Sequence, residues 1–530
     1  MSADAVFAPP VATLGQQVID RLGIPKDEWE IAAQLEVLGL RDSDARTMYG
    51  AHDLFDLARD IWQRFRAGEL AFYVEGEDPR PRVIRFVRFV RRYFAGISFA
   101  LPMALQAASM LLWGYGLWGA IDLELTQGSG VALGFVASYV VAGGFIQALV
   151  RRGLFYIYQK EETLARWTAL RGFAIALRAV LLLAIPAAAM NAVFHILPWS
   201  MMSIALVFYV GLAILWLSWA LLYLVRKTYF YVVITALSLA VVIASAKLMH
   251  VPPLVANVIG IAFADAISFA LAWFLLRRMV KKSGALEPVN PPRLAVLVYS
   301  TSRYFVYGLL FNAFLFADRV IAWTTSVGRD DFPPYPFWLS VRYELALDLA
   351  LVVVIVMSGM LELTNERFSE ELVPREKRKG VGVEAFIADQ TREHRYRTFE
   401  LLLAAAVAFG VALVVVGLLR GVPNVRLQEA LNAPMTMRVF VAAAVGYVFF
   451  VFAVRNLLML LTLSRVGDAM RSVAIALAVD VVTGFVCSRA IHYAAAVAGL
   501  VAGAIVMSLV AGRAVRRVLA DLDYYYYAAF

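Results

Sequence analysis

The chain is poor in charge and nearly devoid of cysteine. Only 17% of its 530 residues are Asp, Glu, Lys or Arg, against about 25% in soluble domains. The single cysteine, Cys487, excludes an internal disulfide framework and a cysteine metal cluster. The five histidines, His52, His195, His250, His394 and His492, are scattered, with no pair at metal-binding helical spacing. No metal or cofactor is therefore expected. A GxxxxGKS/T phosphate loop, an HExxH pair and a GxSxG elbow are also missing. Asp521-Leu522-Asp523 formally matches a glycosyltransferase-like DxD, but no nucleotide-binding pattern surrounds it. The chain is expected to move or bind something rather than to act as an enzyme.

What is abundant is apolar length. Hydrophobic residues make up 62% of the chain and aromatics 13%, a composition no soluble surface accommodates. Met1 to Pro10 has no basic n-region and no h-region follows it, so a signal peptide is not expected. From Ala95 onward, twelve runs are long enough to cross a hydrocarbon layer of roughly 30 Å as helices. They lie near 96–121, 131–150, 172–194, 201–225, 229–250, 254–276, 294–323, 339–363, 399–420, 438–463, 471–488 and 492–512.

The loops alternate in charge. One set, from Arg80–Arg92 and Arg151–Arg171 to Arg513–Arg517, is rich in arginine and lysine. The other set, including Asp122–Gly130 and Thr324–Trp338, is short and poor in them. Basic loops face the cytoplasm, which places both termini there. The net charge of +9 then belongs to the membrane's inner face, and nucleic acid is not an expected partner. The expected organisation is a cytoplasmic helical region at 1–90, a first lobe of six helices at 95–276, a linker at 277–293, a second lobe at 294–512 and a cytoplasmic tail at 513–530. Two six-helix halves joined by an inner linker are typical of secondary transporters.

Outside the spans, 11–66 reads as helical. Ile31, Leu35 and Leu38 form one apolar stripe ending at Gly39, and Leu54, Leu57, Ile61, Trp62 and Phe65 form another after Asp53. Residues 80–92 alternate arginine with Val, Ile and Phe, as in an interfacial helix that binds anionic lipids. The charged stretch Glu362–Glu400 reads as a helical extension of spans eight and nine.

An ionisable residue at bilayer depth marks a functional position unless a partner explains it. In an antiparallel hairpin, residues at equal depth have numbers adding to a constant. By that rule Arg303 levels with Glu362, and Arg319 with Glu344 or Asp348, within about one helical turn. Asp318 has no cation of its own there unless it shares Arg319, and Glu344 and Asp348, four apart on one helix face, leave an acidic excess. Arg455 levels with Asp480, and these two pairs, Arg303–Glu362 and Arg455–Asp480, are expected to be structural. Arg178 and Asp265 have no hairpin partner. A bond from Asp265 to Asn191, Asn257 or a neighbouring hydroxyl would make it structural; without one it is a proton- or cation-binding candidate. The pathway candidates are therefore Arg178, Asp265, Asp318, Arg319, Glu344 and Asp348.

The stretch Leu309–Trp323 (LLFNAFLFADRVIAW), followed by Tyr343-Glu344, resembles the Pel-type exopolysaccharide exporters. Asp318-Arg319 and Trp323 fall on that family's pattern with Arg for Lys, and Tyr343-Glu344 falls on it with Glu for Asp. The exit Glu362–Leu372 (ELTNERFSEEL) is similar to the family's extension after span eight. Such a resemblance implies a twelve-helix, two-lobe member of the multidrug/oligosaccharidyl-lipid/polysaccharide (MOP) flippase superfamily in a bacterial inner membrane. It further implies a polysaccharide or lipid-linked oligosaccharide substrate, alternating access, and a cytoplasmic glycosyltransferase among synthesis-complex partners. Two other readings stand beside it. One is an ion-coupled multidrug antiporter of the same fold with Asp265 as coupling carboxylate. The other is a non-transporting scaffold that recruits synthases through residues 1–90.

Overall fold

The computed structural model describes residues 11–22, 25, 27–70, 87, 90–91, 93–94, 96–283, 293–329, 332–333, 335–378, 383–422, 425–522 and 524–525. Most of the expected interfacial helix at 80–92 lies outside them. The chain separates into two units, 1–89 with 364–397 and 517–530, and 90–363 with 398–516.

In the first unit four short helices close on a core of their own: α1 (Val11–Leu22), α2 (Glu28–Val37), α3 (Asp42–Tyr49) and α4 (Leu54–Arg66). The apolar stripes meet there, with Ile31 and Leu35 of α2, Leu57 and Ile61 of α4 and Val18 and Ile19 of α1 all buried. Gly39 adopts φ +85° just past α2, a left-handed turn that a side chain would strain. Asp53 caps α4 by accepting the Asp56 amide at 2.7 Å. That bond, first among the causes, holds the Asp53 carboxyl below its ordinary range. A depressed carboxylate stabilises the fold above its unfolded-state pKa, and the contribution fades as pH falls through the folded value. The protection of the Asp56 amide against hydrogen exchange, taken relative to the intrinsic rate at each pH, should therefore fall on acidification. Asp53→Asn, which caps without titrating, should abolish that sensitivity; an unchanged acid response in this variant would exclude the cap as its source.

The second unit is a multi-pass membrane protein. It contains α5 (Leu101–Trp113), α6 (Leu125–Tyr158), α7 (Glu162–Phe194), α8 (Trp199–Leu224), α9 (Tyr229–Lys247), α10 (Pro253–Ser283) and α11 (Leu294–Trp323). These are followed by α12 (Val341–Arg378), α13 (Val383–Arg420), α14 (Val425–Asn432), α15 (Pro434–Thr462), α16 (Val466–Ala490) and α17 (Val497–Ala520), of which 364–397 and the end of α17 from 517 fall to the first unit. Eleven helices among the described residues are long and apolar enough to cross a membrane, and α5 is a shorter apolar helix, so twelve spans are consistent with the fold.

The first span ends earlier than its hydropathy implies. Gly114 (φ +83°) closes α5, and a two-residue ribbon pairs Tyr115 with Ala120 and Gly116 with Gly119. Gln106 accepts the Leu117 amide at 2.6 Å and Ser109 donates to the Tyr115 carbonyl at 2.6 Å. These side chains satisfy backbone groups that the interrupted helix leaves free, which buried backbone requires. Helix α14, in the loop before span ten, carries too little apolar length to show as a span.

Helices α12 and α13 run on to Arg378 and begin at Val383, so the charged stretch between spans eight and nine is largely helical. The halves meet along α6 and α11. A Cβ on Gly143 would strike Asn312, one on Gly144 would strike Phe305, and one on Gly308 would meet the Gly143 carbonyl. The bare backbones allow the two helices to touch. Beside this seam Phe316 of α11 packs edge-on against Phe135 and Tyr139 of α6, at 5.6 and 5.5 Å between centroids. Trp216 and Trp118 extend the aromatic contact into the first lobe.

Candidate functional site

Helices α11 and α12 form a hairpin whose facing sides carry the intramembrane charge cluster. Arg319 donates one Nη to Glu344 and the other to Asp348 Oδ1 at 3.5 Å. Trp323 Nε1 donates to the second oxygen of Glu344 at 2.8 Å, and Tyr343 donates its hydroxyl to Asp318 Oδ2, also at 2.8 Å. The hairpin rule thus locates Arg319, Glu344 and Asp348 correctly. It does not anticipate the tyrosine, which neutral donation makes the partner of an acid lacking its own cation.

Accessibility grades across the cluster. Tyr343 and Asp318 are closed off, at 0% and 1% exposure. The Arg319 and Glu344 side chains are 12% and 15% exposed, whereas Asp348 is 50% exposed. Its neighbours along α12, Ala346, Leu347, Leu349 and Ala350, are all buried. One guanidinium therefore serves two carboxylates, beside a third acid, with one edge of the group open.

Asp480 on α16 corrects the sequence expectation. It is fully buried and neither carboxylate oxygen has a hydrogen-bond partner. Arg455 instead donates to Thr398 Oγ1 of α13 at 2.6 Å. Equal depth in a hairpin does not make two side chains face each other. Arg455 projects from the side of α15 toward α13, while Asp480 projects toward α17, where its Oδ1 would collide with any Cβ on Gly499. Gly503, one turn on, makes room for the Asp480 Cβ and for Phe314 of α11. Asp480 is within electrostatic reach of Asp318. Two buried acids thus stand on neighbouring helices of the second lobe.

The Arg303–Glu362 pair is not formed either. Arg303 is exposed and has no ion pair among the described residues, while Glu362 abuts Gly96. Again the residues share a depth but not a face.

In the first lobe, Asp265 is half-buried and its Oδ1 is buried without a hydrogen bond. The partners that would make it structural are otherwise engaged or turned away. Asn191 closes a ring with the Leu197 amide and carbonyl at 2.8 and 3.1 Å, and neither side-chain polar atom of Asn257 has a partner. Contact between Phe173 and Phe269, 5.0 Å between centroids, sets α7 beside α10. No ion pair joins Arg178 of α7 to Asp265 of α10, and Arg178 is exposed. Asn257 and Ser268 share the α10 face next to Asp265, both fully buried with unpartnered polar atoms. A face-by-face helical projection of the sequence would have found this stripe. Among the described residues no group of three or more His, Cys, Asp or Glu side chains could hold a metal ion.

No protein-family model matches the chain, and no curated protein does. Solved structures do. A MOP superfamily transporter from Pyrococcus furiosus superposes with a TM-score of 0.54 at 14% identity, covering 82% of this chain and 96% of that one. The MATE transporter VcmN of Vibrio cholerae, in its bent form, gives 0.55 at 12% identity, covering 83% and 99%. An outward-facing MATE-family multidrug resistance transporter gives 0.52 at 13% identity, covering 82% and 96%. At such identities the likeness is one of fold. The chain is a helical, multi-pass membrane protein with the fold of MATE and other MOP-superfamily transporters.

Proposed function

We propose that the chain is a bacterial inner-membrane flippase, both termini cytoplasmic, that exports an exopolysaccharide or lipid-linked oligosaccharide by alternating access between its two lobes. The observation that carries the reading is the α11–α12 cluster. A half-exposed Asp348 among buried neighbours, at the depth of a spanning helix, faces water rather than lipid, because charge at that depth is otherwise too costly. Its open edge offers carboxylate acceptors, and Arg319 is held between two acids behind it. Such a surface suits the hydroxyls and amines of a sugar chain. A cytoplasmic glycosyltransferase supplying the polymer is the partner that this reading requires. Deleting the gene should strip polymer from the cell surface and trap it or its lipid-linked precursor inside, with dye efflux unchanged. Lost efflux with normal surface polymer would favour the multidrug reading.

Ion coupling is the second reading, and the buried, unpartnered Asp480 beside Asp318 favours it. A carboxylate there is balanced by a proton or a cation taken up during the cycle. Asp480→Asn should leave the protein folded, with an unchanged or higher melting temperature, because the amide fills the same space and can never carry a buried charge. The dependence of export on the ion gradient should disappear. Retention of that dependence would remove Asp480 from coupling and leave Asp265 as the carboxylate to examine.

A further inference from the structure

The arginine-rich end of the first lobe carries cations that the transport reading does not use. Four helix ends meet there: the end of α6, the start of α7, the α8–α9 turn and the end of α10. Arg152 lies over Phe155 and Tyr156 at 4.8 and 4.7 Å from the centroids. Arg166 of α7 lies over Trp273 of α10 at 5.5 Å, and Arg171 over Trp167 at 4.8 Å. Arg226 lies over Tyr158 at 5.8 Å and donates to its hydroxyl at 3.1 Å, and Lys227 sits 5.9 Å from the Tyr229 ring.

None of these five cations has an ion pair among the described residues, although Glu161 and Glu162 occupy the same rim. Arg152 Nε is buried without a partner. On the second lobe, by contrast, Arg465 is neutralised by Asp468 at 2.9 Å.

Tyr156 is buried, but four of the rings beneath are open: Phe155 40%, Trp273 42%, Tyr229 51% and Tyr158 69%. Half-exposed aromatics under unpaired cations fit one environment, the headgroup level of a bilayer, where rings sit in the amphipathic zone and cations meet phosphate. We propose that this rim of the first lobe binds anionic phospholipid headgroups through Arg152, Arg166, Arg171, Arg226 and Lys227. The bound lipid supplies the counter-charge that the protein omits. An acidic protein surface would supply charge as well, but it would leave the rings exposed to water.

The test uses the full chain in nanodiscs of equal phosphatidylglycerol and phosphatidylcholine, with the lipids retained on the protein counted by native mass spectrometry. Wild type should retain phosphatidylglycerol in excess. The variant Arg166→Gln/Arg171→Gln/Arg226→Gln/Lys227→Gln should lose that excess, each cation contributing about five-fold to the preference, the equivalent of about 1 kcal/mol. Arg513→Gln/Arg516→Gln, which removes exposed charge from the second lobe, should retain the excess. If the quadruple variant does not fold, Arg226→Gln and Lys227→Gln singly, both on exposed side chains, should each lower it. Undiminished retention in these variants, or an equal loss in the second-lobe control, would overturn the proposal.

Discussion

Arg319→Leu is expected to destabilise the protein by roughly 3–5 kcal/mol, the usual cost of removing one partner from a buried ion pair. Among the described residues the guanidinium is the only cation in contact with Glu344 and Asp348, and Asp318 stands beside it with a tyrosine hydroxyl as its bond. Removing it leaves Glu344 and Asp318 without a neighbouring cation in a site that water screens poorly, with Asp348 at its open edge. The readout is the melting temperature of the solubilised protein and its yield in the membrane. Arg319→Lys should recover only part of the loss, since an ammonium lacks the planar fork that reaches two carboxylates at once. Adding Glu344→Gln to Arg319→Leu should recover more, because one charge is gone and an acceptor for Trp323 remains. Wild-type melting in Arg319→Leu would mean that the cluster is held by packing alone.

Asp348→Ala should separate function from stability. Its bond to Arg319 is long, at 3.5 Å, and its side chain is half exposed, so its loss should cost no more than the ~0–1 kcal/mol of a solvent-accessible pair. If the open edge of the cluster receives the sugar chain, export should nevertheless fall to background while the protein inserts and melts normally. Combined Glu344→Ala/Asp348→Ala should also abolish export, but with a stability loss, because Arg319 is then stranded. Normal export in Asp348→Ala would remove that carboxylate from the pathway.

The outcome at each charge pair shows how much a one-dimensional reading can carry. The rule of constant sums fixes depth, and depth was right for Arg319 with Glu344 and Asp348. It was equally satisfied for Arg455 with Asp480 and for Arg303 with Glu362, which do not pair. A helix turns 100° per residue, so two residues at one depth can point in opposite directions. Rotation of each helix about its axis is set by small residues at its contacts, such as Gly499 and Gly503 beside Asp480, or Gly143 and Gly308 at the α6–α11 seam. Those contacts join residues far apart in the chain, which no local pattern reports.

The low charge and long apolar runs, by themselves, determined a membrane protein of about twelve spans with charged helical extensions after span eight. Backbone that enters hydrocarbon must satisfy its own hydrogen bonds, so apolar length alone dictates helix. Only the tertiary structure decided which intramembrane charges are partnered. It joined Arg319 to two acids and Tyr343 to a third, turned Arg455 away to Thr398, and left Asp480 buried beside Asp318 without a bond. The first outcome follows from the solvent around the chain, and the second from how neighbouring helices rotate to pack.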